Sequence, residues 1–431
     1  MAARAVKTSS PPPSADVAQA LVAMGDARER TLALLEHLDE EQIERVHSPI
    51  MSPLAWDLGH IAAYEDLWLA HRYGGLELLR PELADMYDAF ETPRSVRGEI
   101  AALGASEAGE YMATVSARTA EVLRERGLGD GVLCEMVLRH ELQHSETMRQ
   151  TLAIAGLLPA PERDKLNAQL SEHDAPEGWL ELPAGEFAMG AHADGFAYDN
   201  ERPCHLVELP AFALARRPVS NASWMRFSEG GGYERREWWS REGWAWKEQQ
   251  DITHHPSIAA GHPEAPACHV SWFEADAFAR AHRARLPTEA EWERAATWTQ
   301  ASDSSAHTAG DTHVVGVDRP AGAGRANGLV GAGRANGLAG VDRAAGAGRA
   351  NGLAGVGRVW EWTSSYFAGY PGFVAYPYRE YSQVFFGRDY RVLRGGSWAT
   401  HPRVACVTFR NWDLPQRRQI FAGVRLARDV R

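Results

Sequence analysis

Apolar residues recur at helical spacing in four stretches near the start of the chain, and in short alternating runs after them. The first stretch runs from about Val17 to Leu38, with Leu21, Leu32, Leu34, Leu35 and Leu38 as candidates for its buried face. Ser52-Pro53 opens the second, with Ser52 as N-cap and Pro53 in the first turn. The pattern then continues through Trp56-Asp57-Leu58-Gly59-His60-Ile61 to about His71. A third helix is expected over roughly Ala105 to Arg126, and a fourth over Val132 to Ile154, which neither Gly nor Pro interrupts. Four such helices predict a bundle, a fold that builds metal sites from inward-facing side chains.

The character changes after Pro159. Residues 159–178 are polar and rich in Pro, Glu and Asp, as in an interdomain linker. Beyond them, short segments such as Trp179-Leu180-Glu181-Leu182 and His205-Leu206-Val207-Glu208-Leu209 alternate between turns, with many Gly and Trp. Helical pattern returns only around Asn221 to Phe227 and Trp272 to Ala281. The expected fold class is therefore α+β and multidomain: a leader at 1–15, a helical bundle at 16–158, the linker, and an irregular domain at 179–431. One segment, about 301–357, repeats Gly-Ala-Gly-Arg-Ala-Asn-Gly-Leu from Gly322, Gly331 and Gly346. Its Gly content and few apolar residues predict a surface insertion without a core.

Length and charge add limits. A chain of 431 residues exceeds one ordinary core, in keeping with two domains. A formal charge of −12 argues against a protein that coats nucleic acid or anionic membrane. Cys134, Cys204, Cys268 and Cys406 are scattered without a C-x-x-C pair, which fits a reducing compartment. No apolar core of a signal peptide and no membrane-spanning run is present, so the expectation is a cytoplasmic protein. No obligate protein partner is evident.

Candidate chemistry centres on Arg139-His140-Glu141-Leu142-Gln143-His144. His140 and His144, four apart on a helix, share a face and can share a metal ion, and Gln143 can reach the same cavity. The pair alone leaves a solvated helix face equally open. His60, mid-helix among apolar neighbours, is the natural third ligand and shifts the balance towards a three-histidine site. Three neutral imidazoles leave coordination positions open for catalysis, and they serve iron, zinc or copper alike. Arg94 and Arg97, in the connector after the second helix, have the spacing to clamp a carboxylate, although spacing alone favours a solvated basic turn.

Longer motifs carry a family resemblance. Arg285-Leu286-Pro287-Thr288-Glu289-Ala290-Glu291-Trp292-Glu293, Val359-Trp360-Glu361-Trp362-Thr363, Arg394-Gly395-Gly396-Ser397-Trp398 and Ala422-Gly423-Val424-Arg425 follow in that order. Together they resemble the formylglycine-generating-enzyme (sulfatase-modifying-factor) domain, a variant of the C-type-lectin fold. Trp56-Asp57-Leu58-Gly59-His60 and His140-Glu141-Leu142-Gln143-His144 resemble the DinB-like metal-binding bundle. Both halves in this order are similar to the ergothioneine-biosynthesis sulfoxide synthases, or hercynine oxygenases.

The resemblance implies a mononuclear non-haem iron(II) enzyme that uses O2 to join a thiol sulfur to the imidazole of hercynine as a sulfoxide. It implies iron ligation by His60, His140 and His144, and contact of Gln143 with hercynine. Arg94 and Arg97 would bind the carboxylates of γ-glutamylcysteine, with Asp413 and Arg417 as further contacts to that substrate. Asn411 and Trp412 would contact hercynine, Tyr378 would donate a proton, and Tyr381 would line the same site. Arg358, where the family has Asn or Asp before Val359, is a departure that puts the local fold of the second domain in doubt. Four alternatives stand beside this reading: a selenosugar-using relative, a cysteine-using oxygenase, a zinc-dependent thiol transferase and a lectin-like binding module. Formylglycine generation is disfavoured, because only Cys406 lies near the C-terminus where that chemistry needs a cysteine pair.

Overall fold

Alternation of buried and exposed positions sets the first helices of the computed structural model, which describes residues 15–89, 91–100, 102–163, 178–255, 262–298 and 353–430. The leader, most of the linker at 159–178 and most of the repeat segment lie outside those residues. The chain divides into two compact units, Met1–Lys165 with Ala399–Val404, and Leu166–Trp398 with Ala405–Arg431.

In the first unit, α1 (Ala15–Ala33) buries Val17, Ala20, Ala27 and Thr31. It ends earlier than its apolar pattern suggested. The backbone turns after Ala33, and Leu34 and Leu35 in that turn are buried; Leu32, still within α1, lies off its buried face and is 40% exposed. A short α2 (Glu40–Glu44) follows, capped reciprocally by Asp39 and Gln42. The next helix, α3 (Leu54–Glu65), continues as a π-helical stretch, Asp66–Tyr73. Pro53, rather than Ser52, is its N-cap residue, and no side chain caps it. The Ser52 hydroxyl instead accepts a hydrogen bond from the Arg97 guanidinium at 2.9 Å. The remaining helices, α4 (Ala105–Arg126) and α5 (Val132–Ile154), have the expected bounds. With α3 packed on α4 and α5, and α1 on α5, these form the bundle.

One cation joins the four long helices. Arg28 of α1 donates to Glu65 of α3 at 2.8 Å, Ser116 of α4 at 2.8 Å and Glu141 of α5 at 2.9 Å. Both carboxylates are buried. Beyond the expected end of the bundle, Glu162 pairs with Arg149 of α5 at 2.7 Å, so residues 159–163 pack as part of the unit.

The second unit is built from short elements. An antiparallel sheet has β1 (Trp179–Leu182), β4 (Phe212–Ala215) and β9 (Ala427–Asp429) in the order β1-β4-β9. A hairpin pairs β2 (Gly185–Met189) with β3 (His205–Leu209). The four-stranded sheet runs β7 (Asn411–Asp413), β6 (Arg391–Arg394), β5 (Trp360–Tyr366), β8 (Ala422–Gly423), with β5 and β8 parallel. Helices α6 (Asn221–Glu229), α7 (Arg241–Gln249), α8 (Trp272–Ala281) and α9 (Glu289–Thr297) accompany them.

The motif residues of this unit serve as its internal ion pairs. Arg425 chelates Glu361 at 2.6 and 2.7 Å, and the Trp292 indole donates to the same carboxylate at 2.6 Å. Arg410 grips Glu289 at 2.8 and 2.9 Å, Arg285 holds Glu291, and Arg394 pairs with Glu293. Arg394, Arg410 and Arg425 are all fully buried. Leu353, which ends the third repeat copy, packs against Leu180, Leu182, Phe212 and Leu214, so the insertion stops short of the expected residue 357. Arg358 sits in an ordinary turn, its N–H bonded to the Gly355 carbonyl and its own carbonyl accepting from Trp398. No helix of the described residues is long and apolar enough to cross a membrane.

Removing Arg28 leaves two buried carboxylates without their cation. Arg28→Met is expected to cost the first unit about 3–5 kcal/mol, as when one partner of a buried ion pair is lost. Urea denaturation followed by circular dichroism checks it, and a loss below about 1 kcal/mol would mean the pairs contribute little, as at a surface.

Candidate metal centre

The bundle brings His60 of α3 together with His140 and His144 of α5, and their candidate ligand atoms all lie within 4.8 Å of one another. Nε2 of His60 is 3.1 Å from Nε2 of His140. Two imidazole nitrogens bonded to one ion at about 2.1 Å each can be no more than about 4.2 Å apart. That pair already satisfies the limit, and the full set exceeds it by no more than about 0.6 Å. The donor set suits a transition metal with coordination positions left for reactants.

Each ring is set by a contact. His60 Nδ1 lies 2.6 Å from the Tyr87 carbonyl, which can only accept, so Nδ1 carries the proton and Nε2 is left with its lone pair facing the centre. Trp56 stacks on His60 at 4.8 Å, and Tyr64 on His140 at 3.8 Å. His144 Nδ1 is 3.3 Å from Oδ1 of Asp57, which is 1% exposed. Burial pushes His60 and His140 well below the usual imidazole range, with repulsion from the neighbouring ring nitrogens adding to it. Both rings are thus held neutral, the form that ligates.

The Trp56-Asp57-Leu58-Gly59-His60 run is explained residue by residue. His60 is one of the three candidate ligands, Trp56 stacks on it, and Asp57 reaches His144. A Cβ on Gly59 would fall 2.2–2.5 Å from the Tyr87 ring, whose hydroxyl accepts the Leu103 N–H at 3.0 Å. Asp57 and Tyr87 were not singled out in the sequence. An acid three residues before His60 in an apolar helix was the available signal for Asp57, whereas a backbone carbonyl leaves none.

Arg97 lies beside this centre in the same unit. It is 6% exposed and its guanidinium sits 3.6 Å from the Trp56 ring centroid, on the residue that stacks on His60. It donates to the Thr92 carbonyl, the Ala89 carbonyl and Ser52. Burial, followed by repulsion from Arg94, lowers its pKa to about 10. Among the described residues, neither Arg94 nor Arg97 has a carboxylate within ion-pairing distance. Gln143, between the two histidines of α5, donates to the Arg139 carbonyl at 3.2 Å.

The other expected site residues belong to the second unit and cluster there. Tyr381 stacks on Tyr198 at 4.4 Å and meets Tyr378 and Trp412 edge-on, at 6.2 and 6.1 Å. Trp412 stacks on Phe367 at 4.1 Å. Asn411, Trp412 and Asp413 make up β7, which pairs with β6. Asp413 accepts the Leu414 N–H at 2.8 Å and lies 3.5 Å from Arg417. This is a half-buried aromatic wall with an ion pair at one end.

Two family models match the chain: the DinB superfamily over residues 23–148, and the sulfatase-modifying factor enzyme 1-like domain over residues 166–430. The chain is 39% identical to the hercynine oxygenase of Mycolicibacterium smegmatis, across 94% of this chain and 97% of that one. It is 40% identical to the hercynine oxygenase of Mycobacterium tuberculosis, with the same coverage. A shorter match, 35% identical, joins 28% of this chain to 46% of the formylglycine-generating enzyme of Streptomyces coelicolor.

Two expectations follow from the geometry of the centre. An imidazole that resists protonation when folded takes a proton readily when unfolded, so the metal-free protein is most stable above about pH 6.5 and weakens as the pH falls. His269 and His401, pushed down to about 4 by burial, add to that trend. Urea titrations between about pH 7.5 and pH 5 should show His140→Gln with the shallower slope, the difference reaching up to about 1.4 kcal/mol per pH unit. Separately, Gly59→Ala displaces Tyr87, and calorimetry should find the bundle destabilised by about 1–3 kcal/mol.

Proposed function

We propose a reaction for this chain from one premise: it belongs to the hercynine oxygenase family. It is an oxygenase, hence an oxidoreductase, acting in ergothioneine-related oxidation. The reaction we infer joins the sulfur of γ-glutamylcysteine to the imidazole C2 of hercynine at an iron(II) site, with O2 as co-substrate. O2 takes up four electrons: one oxygen atom ends in the sulfoxide, and the other leaves as water with the thiol and C2 hydrogens.

Iron held by His60, His140 and His144 would supply O2 activation and favour the thiolate form of the sulfur substrate. Three neutral imidazoles leave the charge of that ion undiminished. Gln143, between two of the ligands, offers an amide to the hercynine imidazole. The aromatic faces of Trp412 and Tyr381 suit a trimethylammonium group, and Asn411 adds a polar contact beside them. Tyr378, a weak acid, delivers a proton where negative charge builds on oxygen.

The observation that carries the choice of donor is the pair of arginines without carboxylate partners among the described residues. A guanidinium buried on Trp56 is costly unless an anion completes it, and the carboxylates of γ-glutamylcysteine would do so with charge-assisted hydrogen bonds. Arg417 and Asp413, at the loose separation of 3.5 Å, are suited to exchange their mutual contact for the carboxylate and ammonium of the glutamyl end.

The test is anaerobic loading with Fe(II), then air, hercynine and either γ-glutamylcysteine or cysteine, read by mass spectrometry. The expected product is hercynyl–γ-glutamylcysteine sulfoxide, absent in His140→Ala. Arg94→Gln should raise KM for γ-glutamylcysteine roughly tenfold while that for hercynine changes little. Product from cysteine alone would overturn the donor assignment.

A further inference from the structure

Asp57 is an unusual residue to find at the heart of the bundle. It is 1% exposed, on α3, and Trp56, Leu58, Gly59, His60 and Ile61 around it are buried as well. Its Oδ1 faces His144 Nδ1 at 3.3 Å, and its Oδ2 has no hydrogen-bond partner. Among the described residues it pairs with no lysine or arginine. Arg97 feels its charge but makes no hydrogen bond to it, its three bonds going to Ser52, Thr92 and Ala89. A buried carboxylate left in this state is a cost to the fold unless a charge at the centre offsets it.

Resting on the metal reading above, we propose that Asp57 is a positioning residue for the three-histidine centre, with two separable effects. It holds the His144 proton on Nδ1, which turns Nε2 towards the metal. It also supplies the anionic charge that balances a dication bound by three neutral ligands. The other two rings lack this second element. His60 is oriented by the neutral Tyr87 carbonyl and His140 stacks on Tyr64, and among the described residues no other carboxylate is paired with a candidate ligand.

Two substitutions separate the effects. Asp57→Asn keeps an acceptor for the His144 N–H but removes the charge, and Asp57→Ala removes both. The probes are Co(II), followed by its visible absorption, and Fe(II) under anaerobic conditions, each titrated into the full chain. Metal-free stability is measured in parallel by thermal melting. We expect Asp57→Asn to weaken metal binding about tenfold and Asp57→Ala up to about a hundredfold, the range for lost outer-shell partners of metal-binding histidines. Asp57→Asn should leave the metal-free melting temperature unchanged or higher, since an unbalanced buried charge has gone.

Affinity within twofold of the parent for Asp57→Asn, while the parent binds, would overturn the charge-balancing role. A weakening matched by an equal loss of metal-free stability would reduce Asp57 to a packing residue and also overturn the proposal. If the parent binds neither Co(II) nor Fe(II), the metal reading itself fails, an outcome distinct from both.

Discussion

Arg28 is the point on which the bundle depends. A single guanidinium bonds to a residue on each of the other three long helices, and two of those residues are buried carboxylates. Burial raises the pKa of Glu65, while Arg28 acts against that shift. Such a clasp restricts rotation as well as distance, because Glu65 of α3 and Glu141 of α5 must both face Arg28. Glu141 directly follows His140, and Glu65 lies five residues after His60 on the same helix. The clasp therefore acts on the same two helices that bring the three imidazoles together.

The second unit meets the same difficulty with more ions. Its strands are short, and four carboxylates from two motifs each meet a different arginine. Buried pairs of this kind are weak evidence for net stability, but each penalises an arrangement that leaves a charge alone. That gives short, irregular elements one preferred packing. The aromatic wall of Tyr378, Tyr381 and Trp412 stands on β7 and on the connection between β5 and β6, which this network anchors.

Polar economy also marks the three-histidine cluster, where Trp56 and Tyr87 each serve two contacts. Trp56 stacks on His60 and also carries the Arg97 guanidinium over its ring, and Tyr87 uses its carbonyl for His60 and its hydroxyl for the Leu103 backbone. Gly59 admits Tyr87 to that position because it lacks a Cβ. The candidate ligand His60, its orientation and the neighbouring cation are thus built from one turn of helix and the connector that packs on it.

Much of this was legible in the residues. Helical period located α3, α4 and α5, and four-residue spacing placed His140 and His144 on one face, because both depend on local geometry alone. Motif order identified the two kinds of domain. Other features depended on contacts between distant residues. Ser52 had the chemistry of a helix cap, yet Arg97, forty-five positions away, claims its hydroxyl. Leu32 fitted the apolar face on paper, yet it stands one position past Thr31 on the helix and outside the face that α1 buries through Val17, Ala20, Ala27 and Thr31. Residues 399–404 fall within the stretch assigned to the second domain, yet cluster with the bundle, where Thr400 bonds to Glu146 and Arg403 to Glu135. Spacing along the chain determines what one helix presents on each face. Which faces meet, and so which His receives Asp57 and which arginine is left without a carboxylate, is decided by packing between elements that the chain's own order leaves free.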